Sequence, residues 1–296
     1  MRVLILGAAA GGGLPQWNCG CPNCVSARNG VIEPQSQSSV AVSADGKSWV
    51  VLNASPDIRT QLLAAVPLHP ASVRGTPVSA VVLTNGDIDH IAGLLILREK
   101  TGFDVYATGE ILGALSVNPV FGVLDPDLVV QKKMQIGMAF EPLDGLSITP
   151  YNVPGKVPLY QETGDVDTAL ISENTIGLEI RANRKTMQYV PGCAMLTPEI
   201  KARFASSDQI LFDGTVWQND EMKNTSTGVK TGRRMGHMPI SGDDGSLSQL
   251  ADLNGPAKTY IHINNTNPIW NPTSPERLAL KDAGWSVACD GMEIVL

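Results

Sequence analysis

The stretch CGCPNC places Cys19, Cys21 and Cys24 so that three thiols can point at one centre. Deprotonated thiolates are soft ligands suited to zinc, and a structural zinc takes four ligands, so a fourth donor has to come from a distant part of the chain. The alternative, three loop cysteines with no metal, runs against the scarcity of free exposed thiols in stable proteins. An iron–sulfur cluster asks for four cysteines and fits less well. Cys193 and Cys289 read as buried small hydrophobic residues. A second stretch, LTNGDIDHIAGLL from Leu83 to Leu95, has the outline of a metal-binding loop that ends a strand and opens a helix. A third, from Asn219 to Gly245, is polar and glycine-rich, and long loops of that kind are often functional. It carries His237, a side chain able to give or take a proton near neutral pH, and Arg233 and Arg234, whose guanidinium groups suit carboxylates. For all three the plain alternative is a solvated loop residue. His69, between Leu68 and Pro70, reads as structural. GAAAGGG follows a strand as a dinucleotide fingerprint would, but Pro15 and the cysteines follow where the phosphate-binding helix should begin, so it reads as a flexible turn.

Alternating strands and helices must position these groups. RVLIL reads as a strand, a short apolar run broken off by glycines, and SSVAVSADGKSWVVLNA is two strands around the hairpin signal Asp45-Gly46. VSAVVL reads as a buried strand, and HIAGLLILREK has helical periodicity with basic residues at its end. DVYAT, LSITPYNV, NTIGLEIRA, TMQYV and DQILFDG read as strands. TPEIKARFA opens like a helix, with Thr197 as N-cap, Pro198 at the first position and Glu199 in the first turn. SPERLALKDAG repeats that grammar and closes on Gly284. WSVACDGMEIVL reads as a strand pair around Asp290-Gly291. With no linker and no internal repeat, the chain reads as one domain over residues 1–296, of α+β class, with two sheets flanked by helices.

At 296 residues and 43% hydrophobic, the chain can bury a sizeable core. Its formal charge of -7 and the absence of a basic run argue against nucleic acid as a partner. MRVLILGAAAGGG is too short and glycine-rich for a signal peptide, and no apolar run reaches the roughly 18 residues a membrane span needs. The expected location is the cytoplasm, with no membrane partner. An odd count of five cysteines, three of them clustered, argues against a disulfide framework.

Thr84 to His90 resembles the T-H-x-H-x-D-H loop of the metallo-β-lactamase superfamily. Thr84, Asp89, His90 and Gly93 match it; Asn85 and Asp87 stand where that loop carries histidine. The N-terminal hairpin, the later strands and YIHIN, where the superfamily places its last metal histidine, agree. The cysteine cluster with a C-terminal DGMEI is similar to the phosphodiesterase branch, which holds a structural zinc. Asn265 stands where that branch has a histidine, which makes it the implied fourth zinc ligand. Within the superfamily, GAAAGGGLPQWNCGCPNC, TNGDIDHIAGLL, VPGCA, GHMPISG and HINNTNPI look like hallmarks of the coenzyme PQQ synthesis protein B family, and they run from residue 7 to residue 269.

The resemblance implies an αββα sandwich of two mixed sheets. It implies that Asp89, His90 and His262 are the strong ligands left at the active site, because Asn85 and Asp87 make a poor zinc site and the expected bridging acid near Pro191-Gly192 is missing. Two histidines and a carboxylate with open positions are the ligand set of non-heme iron(II) oxygenases, so a two-zinc hydrolase is disfavoured. His237 then completes the site or serves as its acid or base, and Asp87 holds a proton or a water. Asn85, Arg233 and Arg234 are expected to meet the substrate. The implied role is the building of pyrroloquinoline quinone (PQQ) from a glutamate–tyrosine unit, by iron-dependent hydroxylation of the tyrosine ring. An older family description is a carrier of the quinone or its precursor toward the periplasm. Both expect a small acidic aromatic ligand, zinc in the cysteine cage and Fe2+ at the active site only for the oxygenase; a homodimer is left open.

Overall fold

In the N-terminal run RVLILG, neighbouring side chains take opposite sides. Val3 and Ile5 join one apolar cluster, Leu4 and Leu6 another. The same alternation sorts Val50 and Leu52 from Trp49 and Val51, and Ala80 and Val82 from Val81 and Leu83. A strand apolar on both faces must lie between two layers, and that dictates the architecture. The computed structural model describes all 296 residues. Strands β1 (Arg2–Gly7), β2 (Ser39–Ser43), β3 (Trp49–Leu52), β4 (Val78–Val82), β5 (Phe103–Ala107) and β6 (Val129–Lys133) build the first sheet. β7 (Phe140–Leu143), β8 (Leu146–Asn152), β9 (Ile176–Ala182), β10 (Lys185–Val190), β11 (Gln209–Asp213), β12 (Ala257–Ile261) and β13 (Trp285–Val287) build the second, and β14 (Glu293–Val295) returns to the first. The sheet orders are β14-β1-β2-β3-β4-β5-β6 and β13-β12-β11-β10-β9-β8-β7. Helices lie outside: Ile58–Ala64 and Gly109–Ser116 bury Ile58, Ile111 and Leu115 on the first sheet's outer face. Pro198–Ala205 and Pro275–Asp282 bury Ile200, Phe204 and Leu280 beside the second. This is the αββα sandwich. No helix is long and apolar enough to cross a membrane.

Each sheet joins antiparallel hairpins to a parallel half. β3 to β6 run parallel in one and β10 to β13 in the other. Both helix starts read from sequence are present: Thr197 and Ser274 accept the N–H of Ile200 and Arg277, with Pro198 and Pro275 in the first turn. Two expectations are corrected. HIAGLLILREK does not run on as one helix. An α-turn covers Ile88–Ile91 and a 3-10 turn Ala92–Leu95, because backbone groups here bond sideways. The N–H of Ala54 donates to the His90 carbonyl and that of Gly93 to Ala54. A Cβ at Gly93 would lie 2.3 Å from the Ser55 carbonyl oxygen, so the approach requires glycine. The C-terminal runs do not pair with each other either. β13 extends the second sheet beside β12, and β14 pairs with β1 in the first. The intervening Asp290 spends its carboxylate on the N–H groups of Ala8 and Ser36 rather than on a hairpin turn.

Candidate metal centres

The parallel strands of both sheets end at one place, and their carboxyl ends supply the polar groups. Residues 84–90 follow β4, Asp213 ends β11 and His262 follows β12. Asn53, past the end of β3, clamps the start of the first loop. Its amide oxygen accepts the Thr84 N–H at 2.9 Å and its amide donates to the Thr84 hydroxyl at 2.8 Å. His262 has φ 57°, a left-handed conformation that costs a non-glycine residue of order 1–3 kcal/mol and that collects at functional sites.

Three imidazoles gather here, and a hydrogen bond at Nδ1 fixes each. His90 Nδ1 donates to Asn85 Oδ1 at 2.7 Å. His262 Nδ1 lies 2.8 Å from the Thr215 hydroxyl. That hydroxyl gives its single proton to Asp213 Oδ1 at 2.7 Å and so accepts from His262. His237 Nδ1 donates to Asp213 Oδ2 at 2.8 Å. Each Nε2 therefore keeps its lone pair, the form that binds a metal or takes a proton. The ligand atoms of Asp89, His90 and His262 lie within 4.8 Å of one another, and so do those of Asp213, His237 and His262. The His237 and His262 rings stack at 5.1 Å, while His90 meets His262 edge-on at 5.2 Å.

The geometry suits a cation. His90 Nε2 is buried with no hydrogen-bond partner, a costly state for a polar atom. His262 Nε2 faces Asp89 Oδ2 at 3.1 Å, where two lone pairs repel unless a proton or a metal ion lies between them. Burial pushes the His90 imidazole down to about 4, so it stays neutral and ready to ligate. Burial also works against charge on His262, but a hydrogen bond to Asp89 and the charges of Asp89, Asp213 and Asp87 together outweigh it and raise its pKa. Burial opposes the Asp89 charge as well, yet His90 and His262 hold that carboxyl well below the usual range. The donor set thus fits a metal ion at Asp89, His90 and His262.

The other expected residues take varied places. Asp87 accepts the Leu159 N–H at 3.4 Å, and burial and the Asp89 charge push its carboxyl up, which suits the holding of a proton. Asn85 does not offer its oxygen to a substrate. That oxygen is occupied by His90 Nδ1 and, at 3.0 Å, by the Asp87 N–H, so Asn85 orients His90 instead. Arg233 pairs with Asp244 at the surface. Arg234 pairs with Glu162 at 2.9 Å. His69 bonds the Leu63 carbonyl, a structural role. Cys193 is buried, and burial pushes its thiol up; Cys289 is exposed in the turn between β13 and β14, contrary to expectation. Asp213 and Thr215 were not expected from the sequence. Asp213 orients His237 and Thr215 from behind and also accepts the Cys193 N–H at 2.9 Å. Its signal was an Asp-Gly closing the apolar strand QILFD, where a buried acid needs a reason.

Cys19, Cys21 and Cys24 come together at the second centre, their sulfurs within 4.8 Å of one another. Asn265 joins them, its amide nitrogen 3.2, 3.6 and 3.3 Å from the three sulfurs in turn. Its amide oxygen is buried without a partner. The two ends of an amide have nearly the same shape, so turning it over aims the oxygen at the sulfurs, an arrangement that only a cation makes favourable. Burial pushes the Cys21 thiol up to about 11, so three adjacent thiolates likewise need a metal. The residues fit zinc. Asn23 adds bonds to the carbonyls of Asn265 and Asn267, tying the cysteine loop to the segment after His262.

Residues 48–263 match the profile described as Beta-lactamase superfamily domain. A relative from Rhizobium meliloti (strain 1021), Coenzyme PQQ synthesis protein B, is 54% identical over 298 residues and covers 100% of this chain and 98% of its own. One of the same name from Ruegeria pomeroyi is 54% identical with full coverage of both chains. The crystal structure of Zn(2+)-bound PqqB from Methylobacterium extorquens superposes with a TM-score of 0.98 at 48% identity over the whole of both chains. A diphosphatase of the PhnP family shares the fold alone, at a TM-score of 0.68 and 20% identity over 100% of this chain and 97% of its own.

Proposed function

This chain belongs to the coenzyme PQQ synthesis protein B family of the β-lactamase superfamily, and on that premise we propose that it serves PQQ biosynthesis as an iron(II)-dependent oxygenase that hydroxylates the tyrosine ring of a glutamate–tyrosine precursor. The observation that carries the reading is the convergence of Asp89, His90 and His262, two imidazoles and one carboxylate, with the His90 Nε2 buried and unpartnered. That ligand set with open positions is the one used for iron(II) in oxygenases. When bound, iron(II) would supply the activation of dioxygen. One oxygen atom enters the ring C–H bond and the other leaves as water, so two electrons and two protons from an external reductant balance the step.

The chain's own groups then have distinct tasks. Asn85 and Thr215 hold His90 and His262 in the ligating tautomer. His237, with Nδ1 fixed on Asp213, presents Nε2 to take the phenolic proton. Burial and the Asp89 charge push the Asp87 carboxyl up, which favours a held proton there and limits the negative charge a carboxylate-bearing ligand meets. Cys19, Cys21, Cys24 and Asn265 hold zinc, the ion bound by the Methylobacterium extorquens relative. A cytoplasmic setting, where thiols stay reduced, suits that cage.

The test is anaerobic reconstitution with iron(II), then oxygen, a reductant and a glutamate–tyrosine dipeptide, with product mass analysis. The expected result is a gain of one oxygen atom, lost together with iron in His90→Ala and His262→Ala. An unchanged dipeptide, combined with quinone binding that ignores the metal, would replace the oxygenase by the carrier.

A further inference from the structure

The segment between β8 and β9, residues 153–175, packs against the loop of the first centre. Tyr160 donates its hydroxyl to the Gly86 carbonyl at 3.0 Å, and Leu159 its N–H to Asp87, both on the loop that carries Asp89 and His90. From this strap Glu162 extends its carboxylate among three cations. Lys156 Nζ lies at 3.0 Å, two Arg234 nitrogens at 2.9 and 3.4 Å, and Lys230 Nζ at 3.9 Å. Lys230 and Arg234 sit on the polar segment leading to His237, and the Lys156 stem packs beside Gly236, the residue before it. Asp87 and Asp165 act on Lys156 and Arg234 through their charges but form no ion pair with any of the three. Among the groups in direct contact, one carboxylate meets three cations. The side chains of Glu162 and Lys156 are only 10% and 11% exposed, far from the solvated ion pairs that surfaces carry.

The geometry points to a carboxylate-binding subsite made by Lys156, Lys230 and Arg234, in which Glu162 stands in for a carboxylate of the ligand and gives way when the ligand arrives. This rests on the acidic, aromatic substrate class proposed above and adds where its acid is read. A guanidinium takes a carboxylate through two parallel N–H bonds, as Arg234 takes Glu162, so an incoming carboxylate can repeat the contact atom for atom. Because Glu162 is tethered, it competes as an intramolecular ligand at an effective concentration on the order of millimolar. Removing its charge should therefore strengthen binding, the opposite of what loss of a mere brace would do.

The experiment is calorimetric titration of metal-loaded protein with a glutamate–tyrosine dipeptide, beside a probe whose two carboxylates are replaced by amides. Glu162→Gln should bind the dipeptide about tenfold tighter than the native chain and show no gain toward the amide probe. Arg234→Ala and Lys230→Ala should each bind the dipeptide more weakly. Glu162→Asp, too short to keep both Arg234 contacts, should give an intermediate gain and serves if the Gln variant fails to fold. Dipeptide binding that is unchanged or weaker in both Glu162 variants overturns the inference. Since the readout is binding, a chain that binds this way yet never hydroxylates would sink the oxygenase and leave the subsite standing.

Discussion

His90 ligates only if its proton is on the far nitrogen, and Asn85 decides that. A histidine at position 85 would have been a ligand; asparagine makes the residue a support, through one 2.7 Å bond. Loss of such a supporting bond typically costs ten- to a hundredfold in metal affinity. Asn85→Ala should therefore weaken iron(II) or zinc binding at the first centre by about that factor in a chelator competition, while Asn85→Asp, which still accepts the Nδ1 proton, should retain most of it. Equal affinity in all three proteins would remove Asn85 from the account. Glu221 is a different case. Burial pushes its carboxyl up to about 7, against the bonds it accepts from Thr266 and the Trp217 N–H, both at 2.6 Å. A carboxyl raised in the folded state holds its proton more tightly there than when unfolded. Its contribution is present below the unfolded value and is lost as pH climbs through about 7. The swing corresponds to about 3 kcal/mol. Melting temperature should fall from pH 5 to pH 8 in the native chain and fall less in Glu221→Gln; parallel curves would show that Glu221 does not titrate in this range.

At the scale of elements, the strand ends do the positioning, and they explain what could be read in advance. Asp89 and His90 were visible because they stand in one loop after one apolar strand, and the three cysteines because they span six residues. Asp213 was not, since its partners His237 and His262 come from loops 24 and 49 residues further on; the parallel pairing of β11 with β12 sets His262 beside it, and the bond of the Met238 N–H to the Cys193 carbonyl anchors His237. The split of β13 from β14 was invisible for the same reason: an Asp-Gly turn states that the chain bends, not which sheet receives each arm. The truncated helix after His90 depended on a tertiary contact with Ala54 and Ser55. What the elements share is the segment 262–267, which begins at a candidate ligand and reaches Asn265 in the cysteine cage. Cys19→Ser, Cys21→Ser and Cys24→Ser combined should thus lose one equivalent of zinc, lower the melting temperature and also weaken metal binding at His262, though none of the three cysteines touches that site. Unchanged zinc content and stability would mean the cage holds no metal.

For the molecule as a whole, both centres are seams. The first draws Asp89 and His90 from one sheet and Asp213 and His262 from the other. The second fastens the N-terminal loop to the end of β12, while residues 288–292 carry the chain back from the second sheet to the first. A metal bound only by the folded state adds about 4 kcal/mol at a thousandfold excess over its Kd, so each ion should stabilise the joint between sheets. The two contributions should not add. With the cage emptied, the 262–267 segment loses its anchor, His262 is held less well in its left-handed conformation, and the ion at the first centre stabilises less. Removing His90 in that background then costs less than removing it from the native chain. Urea unfolding at fixed free iron(II) and zinc, for the native chain, His90→Ala, the triple cysteine variant and their combination, measures the difference. The combined loss should fall short of the sum by about 0.5–3 kcal/mol, the range for sites that share a structural element. Additivity within error would show that the loop holds His262 without help from the cage.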